Sequence, residues 1–405
     1  MEVNEILQLM KKRELVDAFK ALVPLIDDNE AAQVLFLELV RTDWNMFLLA
    51  DNQEVMETLE DGAASDHPWL SYGYARYHDA VMPKTESLEI ATKYYDAAMD
   101  FGIADADVFE AMCWRDGEYG IINERRYVQM VQEALKKGSH RAAMQVSIDQ
   151  MYGNSGYTAD PQGIYDHMSE YIRQCDAADQ HYDPHYLCLV GQACEELGRK
   201  KEAMQWYDRA LEEGDPKACY NLALLRGCDE DGNIVDYDKF SAVMTRGREL
   251  YVPTANMEIT LAMTEEIFEG ASEEDQREYT SAMKDELELA ADMGERTADY
   301  ILAVYYRDGL FGFEQDYNEA FKWAARGAII RDNSCYGILA DMVKDGIAPE
   351  GYDEAFQHDC ELKALRYGSK EYMVPVVEAY KHGFLTDYAA EIEQYYLPQI
   401  EEEDE

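Results

Sequence analysis

Apolar and small residues recur at fixed offsets along most of this chain, and the pattern is clearest between Glu202 and Ala223. Counted from Ala203, the offsets +3, +7, +11 and +15 are occupied by Trp206, Ala210, Gly214 and Ala218. The offsets 0, +3 and +7 share one face of an α-helix, and a glycine at +11 is typical of a left-handed helix end. Asp215 and Pro216 then provide an N-cap and a first-turn proline. The stretch therefore predicts a helix, a tight turn and a second helix.

Weaker copies of this pattern recur from Trp69 onward. The residues at offset +15 are Ala106, Ala142, Ala218, Ala255, Ala298, Cys335 and Tyr372. Most neighbours in this series are about 37 residues apart, with one degenerate copy before Ala218 and one longer linker before Ala298. In two copies the glycine moves from +11 to +7, at Gly247 and Gly327. A near-constant interval of this length predicts an array of stacked helix pairs.

A second register accompanies the first. Four segments combine a bulky residue, a base, a polar residue and a final glycine: Trp114–Gly117, Tyr306–Gly309, Val343–Gly346 and Tyr380–Gly383. Two similar phrases, Asp236–Phe240 and Asp316–Ala320, predict helix starts. Together with Trp-Tyr-x-x-Ala-x-x-x-Gly and Asp-Pro-x-Ala-x-Tyr-Asn-Leu in residues 206–222, these motifs resemble the Sel-one-like repeat, a relative of the tetratricopeptide repeat.

The resemblance covers roughly residues 67–398 and implies a superhelix of antiparallel helix pairs whose concave face binds proteins or peptides. We therefore predict an all-α fold, a right-handed α-solenoid, with the repeat array at residues 67–400. Residues 1–66 lack the glycine register and are predicted to form a divergent N-terminal helical cap, because the terminal unit of a stacked array needs an atypical outer face. Residues 401–405 form an acidic tail.

Acidic side chains dominate the composition. The chain has 83 acidic and 36 basic residues and a net charge of −47, so direct binding to nucleic acid or to anionic membranes is disfavoured. The acidic surface either attracts a basic partner or only keeps a long array soluble. The densest acidic runs are Asp229–Asp231, Glu273–Asp275 and residues 401–405. They suggest an alternative function, an acidic decoy or secreted effector that captures a basic or nucleic-acid-binding partner on its outer surface.

The cysteines and the N-terminus indicate the compartment. The eight cysteines follow no regular spacing, which favours free thiols in a reducing environment. The first residues lack the apolar core of a signal peptide, and no stretch approaches the ~18 apolar residues of a membrane span. We predict a cytoplasmic protein, with signal-independent secretion as the open alternative.

No catalytic or metal-binding arrangement stands out. His181 and His185 are four residues apart, but Pro184 interrupts the helix that would place them on one face. His358 and Cys360 are two residues apart, so they do not face each other on a helix. No phosphate-binding glycine loop and no nucleophilic triad can be assigned. We therefore predict no enzyme activity, no metal and no cofactor.

One column of residues suggests a binding site. By analogy with tetratricopeptide repeats, the residue after the bulky cap residue points into the groove; the column reads His78, Arg115, Met151, Gly227, Thr264, Arg307, Lys344 and Lys381. We predict that its bases, the basic row Arg115, Arg307, Lys344 and Lys381, grip carboxylates of a protein or peptide partner. The alternative is that these cations only complement helix dipoles. The predicted function is a protein–protein interaction scaffold or adaptor; its partner and its oligomeric state are left open.

Overall fold

The computed structural model describes residues 2–82, 84–118 and 122–403. Within these ranges the chain is helical apart from turns, short 3-10 segments and one isolated bridge between Cys228 and Ile234. The backbone of the predicted acidic tail continues the last helix to Glu403, and Asp404 and Glu405 lie outside the described residues. The predicted all-α class is confirmed.

The helices follow one another with short connections. The N-terminal helices are α1 (Val3–Lys11), α2 (Leu15–Leu22), α3 (Glu30–Arg41), α4 (Asp43–Ala50) and α5 (Gln53–Ala64). The next are α6 (Pro68–Ala80), α7 (Lys84–Phe101), α8 (Asp107–Arg115), α9 (Glu124–Lys136), α10 (His140–Tyr152), α11 (Pro161–Ala178), α12 (His185–Glu196), α13 (Lys200–Glu212), α14 (Ala218–Gly227), α15 (Tyr237–Glu249) and α16 (Glu258–Ala262). The last are α17 (Glu265–Gly270), α18 (Glu273–Asp292), α19 (Arg296–Asp308), α20 (Tyr317–Ile329), α21 (Asn333–Lys344), α22 (Glu354–Arg366), α23 (Met373–Lys381), α24 (Ala389–Glu391) and α25 (Leu397–Glu403).

The chain forms two compact units. The first contains Met1–Val81, Ser87–Phe109 and Val128–Ala262, and the second contains Met82–Glu86, Glu110–Tyr127 and Met263–Glu405. In the first unit α11 to α15 each pack against the next helix of the chain, and in the second α18 to α22 do the same. Helix α19 also contacts α21, as expected where one helix pair stacks on the next.

Close helix crossings explain why the glycine moves to offset +7 in two copies. A Cβ atom on Gly327 would lie 2.3 Å from Cys335 Sγ, and one on Gly247 would lie 2.7 Å from Ala255 Cβ. Cys335 and Ala255 are the +15 residues of the same copies. The residues at offsets +7 and +15 therefore face each other across the helix pair. A glycine at +7 allows the backbones of the two helices to approach closely.

The +11 position keeps one backbone conformation whether or not it is glycine. Gly214 and Gly294 have φ angles of 97° and 88°, which confirms the predicted left-handed turn. In the two copies whose glycine has moved, Tyr251 and Arg331 stand at +11 with φ angles of 54° and 64°. Asp179, the C-cap of α11 in the degenerate copy, also has a left-handed φ, of 53°. The turn geometry is thus set by the packing of the helix pair and is imposed even on side-chain-bearing residues.

The predicted helix starts are confirmed. Asp236 accepts a hydrogen bond from the Lys239 N–H at the start of α15. Asp316 accepts two at the start of α20, from the N–H groups of Asn318 and Glu319. Each carboxylate satisfies amide groups that have no partner inside the first helical turn.

The N-terminal helices lie against the turns of several repeats in the first unit. Lys11 forms an ion pair with Glu213, beside the turn before α14. Arg13 Nε donates to the carbonyl oxygen of Leu250, beside the turn after α15. Arg41 bridges Asp105, in the turn before α8, and Asp183, in the turn before α12. The cations of the N-terminal segment therefore bind turn residues that are far away in the sequence.

Buried charge fixes this segment in place. Arg76 on α6 donates to the carbonyl oxygens of Val40 and Arg41 and contacts Asp43 and Asp79 at 2.6 and 2.8 Å. Burial by itself lowers the pKa of the Arg41 guanidinium, but Asp105 and Asp183 outweigh it, and the pKa is raised. Both arginines stay charged and paired, so removing either one would take a cation away from a buried carboxylate, Asp79 or Asp105.

Candidate partner-binding site

A cavity of about 280 Å³ lies among α21, α22 and α23 in the second unit. Lys344 at the end of α21 lines it, and Lys344 is exposed. Pro375, Ala379 and Phe384 give the cavity an apolar part. One predicted base therefore stands beside apolar residues.

Acidic and imidazole groups also line this cavity. Glu361 on α22 is buried and bonds to His358 Nδ1 over 2.7 Å and to Gln357 Nε2 over 2.9 Å. The His358 ring lies 4.7 Å from the ring of Phe384, centroid to centroid. Because these contacts hold the imidazole and the carboxylate in place, this wall is set before any ligand binds.

Carboxylates alternate with the predicted bases. Arg307 pairs with Asp308 at 2.7 Å, and Lys381 pairs with Glu378 at 3.2 Å. Burial raises the pKa of Asp341, whereas Lys344 and then Arg307 act to lower it. Asp341 is thus under the influence of both bases, and the row carries both signs of charge. Within the described residues no carboxylate lies within ion-pair distance of Lys344 Nζ.

Arg115 has a different environment. Its Nε lies 2.6 Å from Asp116 Oδ1, and its guanidinium lies 5.7 Å from the centre of the Tyr127 ring. The next residues reach the turns of the last repeats, since Glu118 accepts a hydrogen bond from Tyr367 and lies 3.2 Å from Arg331 Nε. The structure therefore places Arg115 in a segment that packs on the turns, and the cavity of Lys344 is lined by other residues.

The same column is buried in the first unit. His78 and Met151 are 5% and 2% exposed, and burial lowers the pKa of His78. The His78 ring instead packs edge-on against Tyr74 and Tyr77. This position is consequently exposed in some copies and buried in others, depending on what packs over it.

The acidic runs have local structural roles. Asp229 Oδ1 accepts hydrogen bonds from the N–H groups of Asp231 and Asn233, which closes a loop. Glu273, Glu274 and Asp275 form the first turn of α18, where the helix dipole favours negative charge. Asp229 and the Glu273–Asp275 run therefore each have a local structural role.

The two histidines of the 181–185 segment are separated. His181 Nε2 contacts Glu38 at 2.7 Å, whereas His185 Nδ1 contacts Asp215 at 2.9 Å. All eight cysteines are free, in agreement with the expectation from their spacing. In the described ranges, no helix combines the length and the apolar character that a membrane crossing requires.

The apolar cavity wall was missed by sequence reasoning. Pro375 and Ala379 lie on the last predicted helix and Phe384 follows the glycine cap at Gly383. The periodicity indicates which face of that helix is apolar, but it does not reveal that part of this face remains uncovered beside Lys344.

Comparison with known proteins gives structural neighbours only. No family model matches the sequence, and no curated protein does. The fold is similar to that of a Sel1 repeat protein from Oxalobacter formigenes, with 16% identity and a TM-score of 0.39 over 83% of this chain and 93% of that chain. It is also similar to c5321, a protective antigen present in uropathogenic Escherichia coli strains that displays an SLR fold, with 16% identity and a TM-score of 0.37 over 90% of this chain and 75% of that chain. Both neighbours are Sel1-repeat proteins. The sequence motifs resemble the same repeat.

Proposed function

We propose that this chain is a non-enzymatic interaction scaffold that binds a peptide segment of a partner protein at the cavity of α21, α22 and α23. The observation that carries the proposal is the exposed ammonium group of Lys344, which has no carboxylate within ion-pair distance among the described residues, beside the apolar surface of Pro375 and Phe384. A scaffold of this kind works as an adaptor in the cytoplasm, where free thiols persist.

The ligand would use both parts of the cavity. A carboxylate of the peptide, from a side chain or from its C-terminus, pairs with Lys344, and an apolar side chain covers Phe384 and Pro375. Glu354 and Glu378 line the same cavity and can accept hydrogen bonds from backbone N–H groups of the peptide. Lys381 exchanges its contact with Glu378 for the ligand, and Arg307 adds longer-range attraction that salt weakens.

A hydrolytic or thiol-dependent role has less support. Burial raises the pKa of Cys360, beside the cavity on α22, to about 12, so this thiol is protonated at neutral pH and is a poor nucleophile. His358 is engaged by Glu361. The groups around the cavity are therefore suited to recognition.

The test is selection of peptides from a random library with free C-termini on the full-length protein. We expect enriched peptides that contain an acidic residue next to an apolar one, and binding at least tenfold weaker for Lys344→Glu in fluorescence anisotropy. Lys370→Glu is the matched control, because Lys370 is exposed in the same unit and does not line the cavity. It should bind like the wild type.

The acidic-decoy alternative gives the opposite result. It predicts enrichment of basic peptides, equal binding by wild type and by the Arg307→Glu/Lys344→Glu/Lys381→Glu variant, and a steep loss of affinity with salt. That outcome would overturn the proposed site.

A further inference from the structure

His185, Cys188 and Asp215 bring three different donor atoms together inside the first unit. The imidazole nitrogen, the thiol sulfur and a carboxylate oxygen all lie within 4.8 Å of one another. His185 and Cys188 are three residues apart on α12, so they share one face of the helix. Asp215 comes from the turn before α14, where its other oxygen accepts a hydrogen bond from the Lys217 N–H. Helix α12 and the turn before α14 therefore hold the three side chains in place.

This set matches the ligand preference of one class of metal ion. Imidazole nitrogen, thiolate sulfur and carboxylate oxygen are the ligands of Zn²⁺, at about 2.0–2.3 Å from the metal. His185 Nδ1 and Asp215 Oδ2 lie 2.9 Å apart, so a small outward shift would seat an ion between them. Mg²⁺ and Ca²⁺ prefer oxygen ligands alone, and the thiol therefore argues against them.

The position of the trio suits a bound ion better than a catalytic group. Cys188 is fully buried and Asp215 nearly so, so a substrate has no direct access to the thiol. The His185 side chain is 14% exposed and gives solvent access on one side. Water can supply the fourth ligand there, as in zinc sites with three protein ligands.

Charge around the trio limits the affinity without forbidding it. Besides His185 itself, Lys217 and Arg13 are cations that act on Asp215. Without an ion, a neutral His185, a protonated Cys188 and the carboxylate of Asp215 together carry one negative charge. A bound divalent ion and a deprotonated Cys188 make the group neutral, so the local charge rises by only one. The two nearby cations oppose that rise, and exposed Lys217 can be neutralised to test their effect.

We propose that His185, Cys188 and Asp215 form a binding site for a zinc-class transition-metal ion. The site is distinct from the peptide cavity, which lies in the other unit, and it does not depend on the proposed function. Its occupancy would cross-link α12 to the turn before α14 and stabilise the folded state by mass action.

The experiment uses the full-length protein, stripped with a chelator and titrated with Co²⁺ and with Zn²⁺. We expect one equivalent of Co²⁺ to give ligand-field bands and a thiolate-to-cobalt charge-transfer band, and Zn²⁺ to displace it. Cys188→Ser should abolish the charge-transfer band and weaken Zn²⁺ binding at least tenfold. Cys194→Ser is the control, since Cys194 is buried on the same helix outside the trio, and it should keep the band.

Two further variants distinguish a loss of metal binding from a loss of folding. His185→Gln alters the partly exposed ligand and should weaken Zn²⁺ binding while the far-ultraviolet circular dichroism is unchanged. Lys217→Gln should tighten Zn²⁺ binding severalfold. Wild-type protein that binds no Co²⁺ with thiolate character, or a Cys194→Ser variant that loses the band while Cys188→Ser keeps it, would overturn the proposal.

Discussion

Arg13 Nε donates a hydrogen bond to the carbonyl oxygen of Leu250, 237 residues later in the chain, over a distance of 3.1 Å. The Nη1 of the same guanidinium donates to Asn45 Oδ1 over 2.5 Å. Burial lowers the pKa of Arg13 to about 10, and Asp215 partly opposes this shift. One buried cation thus connects the N-terminal segment with the turns before α14 and after α15.

Replacing Arg13 by methionine should lower the free energy of unfolding by about 2–4 kcal/mol, because two charge-assisted hydrogen bonds are lost and buried oxygens are left without donors. Urea unfolding followed by circular dichroism measures the change. Lys12→Met is the control: Lys12 is exposed, and we expect an effect within about 0.5 kcal/mol. Equal effects of both substitutions would contradict the role of the Arg13 contacts.

Tyr251→Gly should stabilise the protein. Tyr251 holds a left-handed conformation that costs about 1–2 kcal/mol for a residue with a side chain, while glycine adds about 0.5–1 kcal/mol of entropy loss. Its side chain is 55% exposed, so little packing is lost. We expect a net gain of about 0.5–1 kcal/mol in urea unfolding.

The control for that substitution is Tyr300→Gly, inside α19 and also exposed. It should destabilise the protein by about 1 kcal/mol, since glycine is a poor residue for a helix interior. A loss of stability at both positions would show that the Tyr251 side chain matters more than its backbone.

The buried carboxyl group of Asp299 should make the free energy of unfolding depend on pH. Burial raises its pKa to about 7; Arg326, with Nε at 3.3 Å, opposes the shift, and Asp332, Asp292 and Glu295 add to it. The folded state therefore favours the protonated carboxyl. This contribution to stability is fully present below the ordinary aspartate pKa of about 4 and is lost as the pH rises through about 7.

Asp299→Asn should remove that dependence, because the amide has no charge to bury. We expect the variant to gain stability relative to wild type between pH 4 and 8, measured as the difference in urea midpoints, with the largest gain at pH 8. A difference that stays constant over this range would contradict the raised pKa. Asp292→Asn, at an exposed site that pairs with Arg326, should show no such gain.

Gly191→Ala should destabilise the first unit. A Cβ atom at Gly191 on α12 would lie 2.5 Å from the ring of Tyr207, and that ring is held by Glu195 and Asn221. Because the ring cannot move away freely, we expect a loss of about 1–3 kcal/mol. Thermal unfolding measures it.

The matched control is Gly270→Ala at the end of α17, where a Cβ atom would meet nothing within 4 Å. Alanine there should be neutral or stabilising by up to about 0.5–1 kcal/mol. If Gly191→Ala were equally harmless, α12 and α13 would not pack as closely as the structure indicates.

The sequence by itself determined the repeat unit. Its glycines, its small residues at +7 and +15 and its capping aspartates act on neighbouring residues, so their spacing is visible along the chain. The left-handed turn at Gly214 and the N-caps at Asp236 and Asp316 followed from such local chemistry. The positions of the basic row at the ends of helices followed in the same way.

Only the tertiary structure decided which of these residues meet. Lys344 stands beside the apolar cavity, whereas Arg115 pairs with its neighbour Asp116, and both carry the same local signature. His185 and Cys188 share one face of α12, but Asp215 joins them only because two repeats stack. Arg13 contacts Leu250, 237 residues later in the chain. Contacts between distant segments depend on how helix pairs pack over their full length, and periodicity fixes which face is apolar without fixing what covers it.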